Sequence, residues 1–82
     1  VLGGLKMKEL LETLAKSLVD YPDQVSVTPV EEEKSIIFEL RVAKEDMGKV
    51  IGKQGKIAKA IRSLMKAAAI KEEKRVSVEI MQ

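Results

Sequence analysis

Between Met7 and Leu18 the apolar residues Met7, Leu10, Leu11, Leu14 and Leu18 recur three and four positions apart, and Lys6, Glu9, Glu12, Thr13 and Lys16 fall on the opposite side. A period near 3.6 predicts an amphipathic helix from Leu5 to Val19 with Leu14 in its buried stripe, and Pro22 stops it. The rhythm then changes to two. Val25 and Val27 alternate with Ser26 and Thr28, a short strand that Pro29, lacking a ladder donor, assigns to a sheet edge. The polar run "EEEK" at 31–34 reads as a connection. Ile36, Phe38, Leu40 and Val42 then alternate with Ile37, Glu39 and Arg41, a stronger strand with one apolar face and with Phe38 expected in the core. Val76, Val78 and Ile80 repeat the alternation near the end.

The intervening segment is helical and interrupted. In "EDMGKVI" the acids stand at a helix start, where they suit the positive dipole end, and Met47, Val50 and Ile51 share a side. Past the glycines, Ile57, Ala58, Ile61, Leu64, Met65 and Ala68 are predicted to line one face of a helix, and Lys56, Lys59, Arg62, Ser63 and Lys66 the other. The element order is therefore α-β-β-α-α-β. The expected fold class is α+β, a three-stranded sheet covered on one face by three helices, forming one domain over residues 1–82.

Charge adds a direction to this outline. Lysines and arginines number 15 against 13 acids, a net charge of +2 that is nearly neutral. Residues 43–66, however, carry seven basic side chains against Glu45 and Asp46, whereas residues 1–42 carry five basic and eight acidic ones. A local positive field can gather a polyanion even on a nearly neutral protein. With no cysteine there is neither a disulfide framework nor a thiolate metal site. The opening "VLGGLKMKELLETL" mixes charges into its apolar positions, unlike a signal peptide, and no stretch has the length of a membrane span, so a soluble cytoplasmic protein is expected.

The basic residues surround the stretch "MGKVIGKQGKIAKAI", in which Gly52 and Gly55 flank Lys53 and Gln54. Glycines admit positive φ and close approach of another molecule. A helix beginning after Gly55 leaves its first amides without intrahelical acceptors at a positive dipole end, and Lys53 and Lys56 add full charges there. Such a joint suits a phosphate, although a plain helix corner with Gly52 as the C-cap accounts for the glycines equally well. A nucleotide-hydrolysing P-loop is excluded, because the spacing is wrong and no Ser or Thr follows the lysine to hold magnesium.

"VIGKQGKIAKAI" resembles the signature of the KH family of nucleic-acid-binding domains, and the element order matches their type II topology. The chain is most similar to the small stand-alone bacterial KH proteins of the KhpA group, in "EDMGKVIGKQGKIAKAIR", in "LVDYPDQV" and in length. The resemblance implies that Gly52, Lys53, Gln54 and Gly55 form a GxxG loop on the nucleic-acid backbone, with about four unpaired nucleotides in the groove beside it. It places Ile51 as the apolar residue before the loop. Ala58 departs from the broad pattern, where many KH domains have a large aliphatic residue, and Ile57 and Ile61 are the side chains able to cover that area.

The RNA-binding set is thus Lys49, Ile51, Gly52, Lys53, Gln54, Gly55, Lys56, Ile57, Lys59 and Arg62. Tyr21 and Phe38, the only aromatics, lie far from the loop in sequence, so the groove is expected to be aliphatic rather than a stacking platform. The expected ligand is single-stranded RNA, bound as by a small RNA chaperone or post-transcriptional regulator, with single-stranded DNA left open as a second ligand. The family includes homodimers and proteins that pair with a larger KH-containing partner, which implies one of those assemblies. The competing reading is a protein–protein adaptor that uses a KH-like scaffold without nucleic acid. An enzyme is not expected, since histidine and cysteine are absent and no serine has a matching base; nor is any cofactor or metal.

Overall fold

The computed structural model describes residues 4–70 and 73–82; the opening tripeptide, Lys71 and Glu72 lie outside the described residues. Six principal elements follow in order: α1 (Gly4–Leu18), β1 (Ser26–Glu31), β2 (Ser35–Arg41), α2 (Met47–Ile51), α3 (Lys56–Ala68) and β3 (Arg75–Met81). Single 3-10 turns at Pro22–Gln24, Lys44–Asp46 and Lys53–Gly55 connect them. This is the α+β, type II KH-like arrangement.

The sheet has β2 at its centre, antiparallel to β1 and parallel to β3. β1 runs three residues beyond the expected Thr28, straight through Pro29, which pairs with Phe38. An edge strand tolerates this because one side of its backbone faces no partner. The connection shrinks accordingly to 32–34, closed by the Glu32 N–H donating to the Ser35 carbonyl at 2.7 Å.

The period-two alternation sends Val27, Ile36, Phe38, Leu40, Val76 and Val78 to one face, where they join one core with all three helices. Phe38 is fully buried, as expected. In α1 the innermost positions are Met7, Leu11 and Ala15, one turn apart, with Leu10 and Leu18 packed at the margin. Leu14 is only half-buried, which corrects its expected place in the core: the stripe centres one residue later, on an alanine that lets the helix approach the sheet closely. In α3, Ala58, Ile61 and Met65 are buried, whereas Leu64 is 50% exposed and stands outside the core to which the pattern assigns it. A residue three positions from Ile61 rotates about 60° away from it, and here that rotation carries Leu64 off the sheet.

Candidate nucleic-acid interface

The five residues of α2 are too few to hold a helix by their own hydrogen bonds, so tertiary contacts must supply its stability. Val50 anchors it in the core, with Met47 and Ile51 packed alongside. The chain then turns. The Gly52 N–H donates to the Gly48 carbonyl at 2.9 Å and the Gly55 N–H to the Gly52 carbonyl at 3.1 Å. Gly52 adopts φ 76°, ψ 172°, a region open essentially to glycine alone, and Gly55 is left-handed at φ 74°, ψ 14°. Between them Gln54 is left-handed too, at φ 57°. Gly55 begins α3 without a side chain to cap it, so the first-turn amides of α3 face the turn.

The two glycines serve different ends. A Cβ on Gly52 would lie 2.6 Å from Ile57 Cγ1 and 2.9 Å from Ile57 Cβ, whereas a Cβ on Gly55 would meet nothing within 4 Å. Gly52 thus lets the turn settle onto Ile57, and Gly55 leaves the outer surface of the turn open.

Lys53, Gln54, Lys56, Lys59 and Arg62 are all exposed. Along α3 each step of three residues rotates the side chain by about 60°, so Lys56, Lys59 and Arg62 form a row slanting around the helix. Its direction is given by Arg62, whose Nε donates to the carbonyl of Val78 on the edge strand β3 at 3.2 Å. The basic row therefore leads from the glycine turn to the margin of the sheet.

Lys49 has a different environment from the other lysines. Its Nζ donates to Asp20 Oδ2 at 2.7 Å and lies 3.6 Å from Asp46 Oδ1, so part of its charge is already balanced. The hydrogen bond to Asp20 is the main cause that raises its pKa above the usual 10.5, against the opposing effect of burial.

Asp46, which the sequence pattern assigns to a helix dipole, is instead fully buried beneath the α1–β1 connection. Its two carboxylate oxygens accept the backbone N–H groups of Asp20 and Tyr21, each at 3.0 Å. Burial pushes its pKa up, but the two amides and the Lys49 ammonium outweigh burial and hold it below 3.8. Pattern reading misses this clamp. Its only sequence signal is an acid three residues before a lysine at the entrance to a helix too short to stand alone.

Ile51 and Ile57 are half-buried and flank the turn, but Ile61 is inside the core, so it does not cover the area that Ala58 leaves. Ala58 is itself buried. Tyr21 is 45% exposed and tied to Asp46 through its backbone rather than its ring. Among the described residues no group of three or more acidic, histidine or cysteine side chains could hold a metal.

Comparison with known proteins shows the family and the fold. Residues 8–80 match the family model described as KhpA/KhpB, KH domain. The RNA-binding protein KhpA of Clostridium acetobutylicum is 72% identical over 75 residues, covering 92% of this chain and 100% of that protein. The protein of the same description from Listeria monocytogenes is 50% identical over 76 residues, covering 93% of this chain and 100% of its own. Among solved structures, Aquifex aeolicus Era bound to GDP and aluminium fluoride superposes with TM-score 0.68 at 20% identity, over 94% of this chain and 30% of Era. Era in complex with MgGDPNP and a segment of 16S ribosomal RNA gives TM-score 0.69 at 20% identity, with the same coverage. The likeness to Era is one of fold.

Proposed function

The chain belongs to the KhpA/KhpB KH-domain family, and from that premise we propose that it is an RNA-binding protein whose glycine turn seats a backbone phosphate of an unpaired strand. It acts as a small RNA chaperone or post-transcriptional regulator and not as an enzyme. The observation that carries the site is the turn itself: two positive-φ glycines, the open first turn of α3 and exposed cations in the turn and along the helix that leaves it. Phosphate contacts give register and affinity, and the aliphatic surface of Ile51 and Ile57 gives the bases a surface to pack on. Lys53, Gln54, Lys56, Lys59 and Arg62 hold the backbone; Lys49 contributes less, because Asp20 and Asp46 already occupy it.

No described helix is long and apolar enough to cross a membrane, and we place the protein in the cytoplasm, where its ligand is made. A groove for about four nucleotides gives limited affinity alone, so the working form is a homodimer or a pair with a larger KH-containing protein, in which two grooves act together.

The test is the double variant Lys53→Asp, Gln54→Asp, placed between intact glycines at exposed positions. It should keep its helical circular dichroism and lose most binding to single-stranded RNA. The wild-type slope of log affinity against log salt should lie at about −1.4 to −2 if two or three phosphates are neutralised, and the variant's should be flatter. Unchanged RNA affinity in the folded variant would make the turn a mere corner and favour the adaptor reading.

A further inference from the structure

A second feature rich in cations lies away from the glycine turn. At the opposite end of α3, where the helix meets the start of β3, lies a cleft of about 610 Å³. Lys66, Ile70, Arg75, Ser35, Ile37 and Ser77 line it, and the acidic Glu73 lines it too beside Lys74. Ile70 is 79% exposed, the most exposed large apolar side chain among the described residues. Of the cations there, Lys74 is engaged by Glu31 at 3.0 Å, whereas Lys66 and Arg75 make no ion pair among the described residues.

Continuity with the turn follows from helix geometry. Four residues beyond Arg62, Lys66 is rotated by only about 40°, so the basic row stays on the β3 side of α3 as it runs down the helix. From Lys56 to Lys66 the rise is about 15 Å, so a strand whose first nucleotides, about four of them, fill the groove beside the turn reaches the cleft with the nucleotides that follow. At its far end the row opens into a cleft whose lining residues suit a base: aliphatic side chains for a ring face, two serines able to donate or accept toward a base edge, and three cations against the one carboxylate of Glu73 for the adjoining phosphate.

The geometry points to a second nucleotide subsite: the RNA strand seated on the glycine turn continues along Lys59, Arg62 and Lys66 and places a further unpaired base in the cleft between Ile70 and Ser77. This rests on the RNA-binding reading and extends it. The occupant is a single strand longer than the groove beside the turn accommodates, and the cleft rewards length rather than sequence.

The test compares oligouridylates of about four and about ten nucleotides by fluorescence anisotropy, since only the longer one spans both features. The variant Lys66→Glu, Ile70→Glu changes two exposed side chains remote from the turn. It should leave the four-mer affinity unchanged, lower the ten-mer affinity about tenfold, and make the ten-mer salt slope shallower by about 0.7 for each phosphate no longer neutralised. Ile70→Ser, which removes the aliphatic rim without changing charge, should weaken the ten-mer about threefold at unaltered salt slope. A ten-mer advantage that survives both variants would overturn the subsite. An equal loss for both lengths would overturn it as well, since that is the mark of a diffuse field. Wild type that binds neither length would instead bring down the RNA reading, and this inference with it.

Discussion

Gly52 and Gly55 have nearly the same φ, yet alanine should not cost the same at both. At Gly55 a Cβ finds open space, so the penalty is that of a left-handed L-residue, about 1–2 kcal/mol. At Gly52 the backbone is in glycine-only territory and the new Cβ strikes the branched carbon of Ile57, so Gly52→Ala should destabilise more than Gly55→Ala in urea denaturation. Equal midpoints would show that Ile57 yields. Asp46 makes the complementary prediction with pH. Its folded pKa lies below its unfolded value, so its contribution is fully present above pH about 4 and is lost as pH falls through the folded pKa. Asp46→Asn keeps the shape but turns an amide donor toward a backbone N–H. Its melting temperature should be lower than wild type at pH 6, and the gap should narrow as the wild type is acidified. A gap constant down to pH 3 would mean that the carboxylate charge is irrelevant to the clamp. Lys49 has the opposite sign: its share is present below pH about 10.5 and fades as pH rises through its elevated pKa.

At the scale of the element, the half-burial of Leu14 separates two leucines that the sequence pattern treats alike. Leu11→Ala and Ile61→Ala, both in the core, should each cost about 2–5 kcal/mol, while Leu14→Ala should cost distinctly less. Chemical denaturation of the three variants decides it, and a Leu14 variant as damaged as Leu11 would move the helix register. The strands are legible in the sequence because alternation over Ile36–Val42 and Val76–Ile80 has one interpretation when one face is covered. The helices are legible in extent but not in rotation. A stripe of five leucines and methionines leaves tens of degrees of freedom, and the close approach through Ala15 selects among them. The loop is legible through its glycines and cations. The Asp46 clamp is not, because it joins residues 25 and 26 positions apart through backbone donors that carry no residue-type signal.

On the scale of the whole molecule, the described residues extend over 34 × 25 × 18 Å, small enough that one copy engages only a short length of RNA. Self-association or pairing should therefore sharpen binding. Light scattering at micromolar concentration should report a mass above that of one chain, or RNA titration should tighten when a second KH protein is added. A strict monomer with unchanged affinity under both conditions would exclude the paired form. The parallel pairing of β2 with β3 has a consequence in time as well as space. Because the glycine turn lies inside the crossover between these strands, it is synthesised before the strand that supports α3. A growing chain stopped ahead of Arg75 has the glycines and lysines but lacks Val76 and Val78, which complete the core under the helices. On the proposed reading of the turn, its RNA seat is therefore complete only after the last strand has docked on β2.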